Sequence, residues 1–452
     1  MVETTEQDKT QQRLEKLTAA LHSGTAGQVR RLLASLHPAE IADLVESLPH
    51  GPRELLWELV DPEIKGEVLV EVNEEVRAGL IEEMETHQLV EATESLETDD
   101  LADLLQDLPG AVIHELLQSM DKQNRDRLEA VLSYPEDTAG GLMNLDVVTV
   151  RADVTLDVVL RYLRLRGEIP ELTDSLIVVD RFDRYQGLLP LTTLLTSDPD
   201  LTVAEVMDRE VEGIPASLPD VEVARLFQDR DLVSAPVVDD DGKLLGRITI
   251  DDVVDVIRDE ADHSLMSMAG LDEEDDIFAP PVLSARRRAL WLGVNLATAF
   301  LASWVIGLFE GTLQKVVALA VLMPIVASMG GIAGSQTLTI MIRGLALGQV
   351  GPSNARSLMY KEILVALMNG LIWSLVVAII AMAWFQNTQI GLIIAAALTI
   401  NLTCAALAGV SIPLFLKRIG IDPALAGSVL LTTVTDVVGF MAFLGLGTLY
   451  LM

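Results

Sequence analysis

One carboxylate lies where hydrocarbon should be. Asp436 sits in the middle of the apolar run SVLLTTVTDVVGF. A charge there costs at least about 2.5–3.5 kcal/mol unless it is solvated or paired. Helical spacing sets Thr432, Thr433, Gly439 and Phe440 beside it. A carboxylate, two hydroxyls and a glycine suit a narrow, wet, oxygen-lined surface, which is hard-cation chemistry. No Lys or Arg lies mid-segment elsewhere, which favours a passing cation over a resident one. A second set of small and polar residues runs through PIVASMGGIAGSQTLT. Pro324, Gly330, Gly331 and Gly334 could thin or break a helix and turn backbone carbonyls to a cavity, with Ser335, Gln336 and Thr337 adding polar atoms. Close packing through small residues is the other reading, and both stay open. Asn401, Glu362 and Asn369 are further polar residues in apolar surroundings, and Glu362 also fits a solvated helix end.

Acidic pairs form a different chemistry upstream. Asp99 and Asp103 are spaced i, i+4 and Asp252 and Asp255 i, i+3, so each pair shares a helix face. Such faces bind hard cations, are simply solvated, or cap a helix. The residues up to Ala285 hold 63 Asp and Glu against 23 Lys and Arg, a net charge of −40. The remainder holds 4 acidic and 9 basic residues, a net of +5. Charge this acidic repels itself, calls for cations and binds nucleic acid poorly, so no nucleic-acid partner is expected. The single cysteine, Cys404, excludes a disulfide framework and a cysteine metal site. All six histidines precede residue 264, so an intramembrane zinc peptidase lacks its ligands. No Ser/His/Asp or Cys/His set has two members in the apolar half, and no enzyme is expected.

The elements that position Asp436 are five apolar segments, at about 289–309, 316–342, 360–385, 390–416 and 425–452. Each is long enough to span about 30 Å of hydrocarbon. One side of the membrane receives Arg286, Arg287, Arg288, Arg343, Arg356, Lys361, Lys417 and Arg418, and the other only Lys315. Positive residues stay inside, so the acidic half is expected in the cytoplasm and the C-terminus outside. The opening MVETTEQDKTQQ has no basic, then apolar, signal pattern, which predicts no cleaved signal peptide.

The acidic half contains two repeats. AEIADLVESLP at 39–49 recurs as DDLADLLQDLP at 99–109, within helical apolar spacing over 11–135, which predicts stacked helix pairs in a small superhelix. In 138–260, Leu142-Met143 and Val206-Met207 each open a strand, helix, strand, turn, strand, helix pattern. Val179-Asp180 and Gly187 lie 59 residues before Val238-Asp239 and Gly246. This resembles a tandem pair of CBS domains, small α/β modules that sense ligands.

The whole order resembles the MgtE-type magnesium channels. The motifs that carry the likeness are DTAGGLM, the Pro324–Gln336 glycine run, NLTCAALAGVSIPLFLKRIGIDPAL with Asn401 and Asp422, and TTVTDVVGF. The fold expected is a multi-domain membrane protein. Its parts are an all-α superhelical region at 1–137, an α/β tandem CBS pair at 138–261, a linker (plug) helix at 262–285 and a five-helix transmembrane domain at 286–452. The resemblance implies a homodimer in the cell inner membrane, with the lipid bilayer around it and a pore between subunits. It implies that Asp436, with Thr432 and Thr433, holds hydrated Mg²⁺, and that Gly330, Gly331, Gly334, Gln336 and Asn401 line the path. It further implies closure by cytoplasmic Mg²⁺ at Glu67, Asp99, Asp103, Asp231, Asp252, Asp255, Glu260 and Asp422, and an amphipathic linker helix that blocks the closed pore.

Departures set the alternatives. Ile332 stands where family members carry Asn, so Co²⁺, Mn²⁺ or another divalent cation is an alternative cargo. His263 and Ser264 stand where the family has acids. ATP binding is left open, because Thr249 and Asp252 in the second CBS copy match a nucleotide pattern that Thr192 and Thr193 in the first do not. A membrane-anchored nucleotide sensor that does not conduct is the alternative of another class.

Overall fold

The computed structural model describes residues 26–452 except 94, 95, 97, 107, 109, 121, 171, 272–274 and 352. Its backbone divides into two compact units. One runs to Asp262 and takes in the segment ending at Ala279, and the other comprises His263 onward and Pro280–Met452.

The first unit begins with short helices: α1 (Ala26–Leu33), α2 (Pro38–Glu46), α3 (His50–Trp57), α4 (Lys65–Glu71), α5 (Glu74–Glu83), α6 (Thr86–Thr93), α7 (Thr98–Gln106), α8 (Gly110–Ser119) and α9 (Lys122–Val131). Pro38 opens α2, where a missing N–H leaves nothing unpaired, and Asn73 caps α5 by accepting from the Val76 N–H at 2.9 Å. The repeat in the sequence is a repeat in the core. Ile41, Leu44, Val45 and Leu48 are buried, and so are Leu101, Leu104, Leu105 and Leu108 at the matching positions.

The α/β part follows with β1 (Thr149–Arg151), α10 (Leu156–Arg166), β2 (Ser175–Val179), β3 (Tyr185–Pro190), α11 (Leu191–Thr196), α12 (Val203–Val206), β4 (Ile214–Pro215), α13 (Asp220–Arg230), β5 (Ser234–Val238), β6 (Leu244–Thr249) and α14 (Ile250–Met268). Each sheet has three strands, the first pair parallel and the second antiparallel. The two copies agree in register, since Gly187 lies opposite Val178 and Gly246 opposite Val237. They agree in turn chemistry too. Asp180 accepts from Phe182 and Arg184 N–H groups, and Asp239 from Asp241 and Lys243. The leading segments are exchanged between copies: Asn144 pairs with Arg247 of β6, and Asp208 with Leu188 of β3. Glycine is required there, because a Cβ at Gly246 would lie 2.6 Å from the Asn144 carbonyl oxygen, and one at Gly187 would strike that of Asp208. One hydrophobic core joins the short helices to the second copy, through residues such as Leu104, Leu128, Phe227 and Val253.

The stretch 262–285 does not form the single linker helix expected. It holds the last turns of α14 and the first of α15 (Pro281–Gly307). Gly270, at φ +70°, ends α14 while the Leu271 N–H donates back to the Met266 carbonyl at 3.0 Å. Pro281 then opens α15. Between them Asp276 is clamped within the first unit. The Arg53 guanidinium donates to its two oxygens at 2.7 and 3.0 Å, and the Asp276 N–H donates to Glu75 Oε2 at 2.6 Å. Both side chains of the Arg53–Asp276 pair are 8% exposed. Burial opposes ionisation of Asp276, but hydrogen bonds from Arg53 and the Phe278 N–H, with the guanidinium charge, hold its carboxyl below the usual range.

The second unit continues with α16 (Glu310–Lys315), α17 (Val317–Ala346), α18 (Ala355–Phe385), α19 (Thr388–Arg418) and α20 (Pro423–Leu451). Helices α15, α17, α18, α19 and α20 are long and apolar enough to cross a membrane. Helix α19 packs against α17, α18 and α20, whereas α15 packs chiefly on α20. Arg286, Arg287 and Arg288 lie in the opening turns of α15, which starts before the apolar run.

Candidate functional site

Asp436, Thr432 and Thr433 share one face of α20 and line a cavity of about 340 Å³. Its other wall is α15, through Leu292, Asn295, Leu296, Thr298 and Ala299. The Thr432 and Thr433 hydroxyls donate to the carbonyls of Ser428 and Val429, at 2.9 and 2.7 Å. Their protons are thus spent within the helix, and the lone pairs remain as cation acceptors. Among the described residues Asp436 has no hydrogen-bond or ion-pair partner. A half-buried carboxylate in an apolar bundle with no protein cation beside it is costly unless water or an ion solvates it. The sequence reading missed the α15 wall. Asn295 and Thr298 are spaced i, i+3 in an apolar segment, and that spacing was the available signal.

The glycine run divides between its two readings. Helix α17 continues unbroken from Val317 to Ala346 through Pro324 and all the glycines, so the break, one of the two readings left open, does not occur. Gly330 and Gly334 are buried packing positions, since a Cβ at Gly330 would strike the Asn401 amide and one at Gly334 would lie 2.9 Å from Leu431 Cδ1. Gly331 has open space before it, and Gln336 and Ser335 are exposed. Ile332 is 57% exposed. Asn401, fully buried, does not border the cavity. Its Nδ2 donates to the Val326 carbonyl at 2.9 Å, and Gly330 and Gly439 close over it. It pins α17, α19 and α20 together. Glu362 is buried rather than solvated, accepting from the Thr337 hydroxyl at 3.2 Å with Lys361 Nζ 2.9 Å from its other oxygen.

The acids of the first unit converge on α14. Asp252 Oδ2 accepts from the Thr249 N–H at 3.2 Å and the Thr249 hydroxyl at 3.1 Å. Burial, then repulsion from Asp251, pushes its carboxyl up to about 7, with Asp100 of α7 adding to the repulsion against those hydrogen bonds. Asp255 is raised by burial and Asp251, against the pull of Arg258. Glu71 of α4 is raised by burial and then by Asp255, offset in part by His37 and Arg258, with Asp43 of α2 adding to the rise. Asp43, Glu71 and Asp100 were missed, because only folding brings α2, α4 and α7 to α14, and Asp251 was missed although it stands beside Asp252 on α14. Asp103 lies on α7, and the side chain of Asp99 lies outside the described residues. Glu67 is exposed on α4, and Glu260 is further along α14. Asp231 ends α13 in the left-handed conformation, exposed. In the second unit Asp422 caps α20, accepting from Ala424 and Leu425 N–H groups at 2.9 and 3.1 Å, with His263 Nε2 3.4 Å away.

Comparison with known proteins places these parts. Residues 323–446 match the family described as MgtE, divalent cation transporter. Residues 36–137 match the MgtE intracellular N domain, and 139–199 and 203–259 match CBS domains. The magnesium transporter MgtE of Thermus thermophilus is 33% identical over 440 residues, covering 96% of this chain and 98% of the relative. This chain belongs to the MgtE family. The magnesium transporter MgtE of Enterococcus faecalis is 28% identical, covering 96% of each chain. A solved structure described as the cytosolic domain of the Mg²⁺ channel MgtE in complex with ATP is 35% identical, covering 54% of this chain and 99% of that one, with a TM-score of 0.49. Within the MgtE frame the two CBS copies are the two three-stranded sheets, and Asp436 falls in the transporter segment.

Proposed function

We propose that this MgtE-family chain carries Mg²⁺ across the cell inner membrane as a homodimer, with Asp436 holding the hydrated ion on its path. The observation that carries this reading is the Asp436 carboxylate, without a partner among the described residues, beside Thr432, Thr433, Asn295 and Thr298 in an apolar bundle. Mg²⁺ gives up water reluctantly, so oxygens that accept from its hydration shell suit it better than a tight cage. A negative interior supplies about 4.6 kcal/mol per 100 mV for two charges, so entry needs no ATP. The names of the full-length relatives support magnesium as the cargo. The clustered Arg and Lys at one set of helix ends support an acidic half in the cytoplasm and a C-terminus outside.

Residues 1–137 and 138–261 act as the sensor and 286–452 as the path. Cytoplasmic Mg²⁺ closes the path by neutralising the acids around α14, whose mutual repulsion supports the need for a cation there. Flux into liposomes holding purified protein, with Mg²⁺, Co²⁺ and Mn²⁺ in parallel, tests the reading. Mg²⁺ uptake above that of empty liposomes is expected. Uptake of Co²⁺ or Mn²⁺ alone would change the cargo, and uptake of none would leave a sensor without a conduit.

A further inference from the structure

Outside the acids already described, one cluster differs in chemistry because it contains an imidazole. His50 opens α3 and Glu54 lies one turn on, so both project from one helix face. Their His50 Nδ1 and Glu54 Oε1 atoms are 2.7 Å apart. Glu83, the last residue of α5, brings a second carboxylate, and the three donor atoms lie within 4.8 Å of one another. Among the described residues this is the one group of three or more His, Cys, Asp or Glu side chains that converges so closely.

We propose that His50, Glu54 and Glu83 form a binding site for a first-row transition-metal dication of the Zn²⁺ type, separate from the Mg²⁺ chemistry of the rest of the chain. Metal–donor bonds of about 2.0–2.2 Å put neighbouring ligands about 3.3 Å apart in a tetrahedron. Rotation of the exposed His50 and Glu83 and the half-exposed Glu54 side chains brings donors already within 4.8 Å to that spacing. One nitrogen and two carboxylates, with water completing the shell, suit Zn²⁺, whereas Mg²⁺ selects oxygen alone. The two carboxylates crowd each other in the metal-free protein. The Glu54 and Glu83 carboxyls are within hydrogen-bond reach of each other.

The framework is held from below. Arg53, between the two α3 ligands, is fixed by the Asp276 carboxylate and by its Nε donating to the Val45 carbonyl at 3.0 Å. Buried Leu56, Trp57, Leu80 and Ile81 anchor α3 and α5 in the common core. The ligands therefore sit on rigid elements, which is what lets exposed side chains present a repeatable geometry.

The test is a Zn²⁺ titration of the full-length protein in detergent against a colorimetric chelator, with Mg²⁺ held in large excess to fill hard-ion sites. Wild type is expected to retain one Zn²⁺ per chain that His50→Ala and Glu83→Gln each weaken at least tenfold. Zn²⁺ X-ray absorption should show a nitrogen donor in wild type that His50→Ala removes. Unchanged metal-free melting of both variants shows that they remain folded, as their surface exposure leads one to expect. Equal retention of Zn²⁺ by wild type and His50→Ala, or failure of wild type to retain Zn²⁺ in that excess of Mg²⁺, would overturn the site.

Discussion

The two units use carboxylates in opposite ways. In the first, acids meet acids: Asp252 is pushed to about 7 with Asp251 and Asp100 against it, and Glu71 faces Asp255 and Asp43, with His37 and Arg258 offsetting only part. In the second, Asp436 stands in a cavity with hydroxyls and an amide for company. Crowded acids stabilise whatever cation arrives between them, and the more they are held together the more they need it. A carboxylate with only neutral oxygens around it in its own chain crowds an ion less, and conduction requires an ion held weakly enough to leave. On the proposed function, retention and passage would differ in how closely charges crowd the ion, not in the ligand type.

The sharpest break of this comparison removes the lone charge. Asp436→Ala should reduce Mg²⁺ uptake in liposomes to the level of empty vesicles while leaving the protein folded. Wild-type flux in the variant would take Asp436 off the path. Asn295→Leu removes an amide from the opposite wall and should lower uptake less, because the carboxylate remains.

The next largest effect belongs to a charge that is paired. Asp276→Asn leaves the Arg53 guanidinium buried without its counter-charge, a change that costs about 3–5 kcal/mol when a buried pair is broken. Thermal unfolding should drop, and residues 275–279 should become open to protease. Since the Asp276 carboxyl is held below its ordinary 3.8, its contribution is present above that value and lost as pH falls through the depressed one. The penalty should therefore be equal at pH 8 and pH 5. A penalty that vanished by pH 5 would show that the pair is not an ion pair.

A smaller effect tests the pin between membrane helices. A Cβ at Gly439 would lie 2.7 Å from Asn401 Nδ2, so Gly439→Ala overpacks the site by about 1–3 kcal/mol. Truncating Asn401 to Ala makes room, so the double variant should be more stable than the two single losses add up to. Strict additivity in detergent melting curves would show that the two residues do not share that space.

Much of the fold was legible because its signals are periodic. The apolar segments became α15, α17, α18, α19 and α20, and the 59-residue offset of Gly187 and Gly246 became one register in two sheets. What periodicity could not show was which face of a helix meets what. Gly330 and Gly331 are neighbours in sequence, yet one packs on Asn401 and the other faces open space. Asn401 read as polar lining because its type was visible and its burial was not. Of the two readings left open for the glycine run, a break at Pro324 does not occur, since α17 runs through it, and Gly270 ends α14 inside the 262–285 stretch. Glu71 and Asp100 carry no local mark, since their meaning comes from the helix that folding brings beside them.

The smallest effect expected comes from the crowded acids, because they act as a set. Suppose the path exchanges between open and closed, with Mg²⁺ preferring the closed arrangement of the first unit. Each ion then contributes only its difference in affinity between the two states. Moving the population from 1:99 to 99:1 takes about 5.5 kcal/mol, more than one weak hard-ion site supplies. Several sites must add, and the net charge of −40 up to Ala285 gives room for them. Changing Asp252→Asn, Asp255→Asn and Glu260→Gln together should therefore shift the closing curve to higher Mg²⁺ by up to about tenfold, or roughly 1.4 kcal/mol, without erasing it. Ion preference should not change, because Asp436 and its hydroxyls are untouched. Patch recordings with stepped Mg²⁺ on the side of the acidic half measure both quantities at once. An unshifted curve would reduce the α14 acids to a solvated helix face, whereas a curve lost altogether would concentrate sensing in this one cluster.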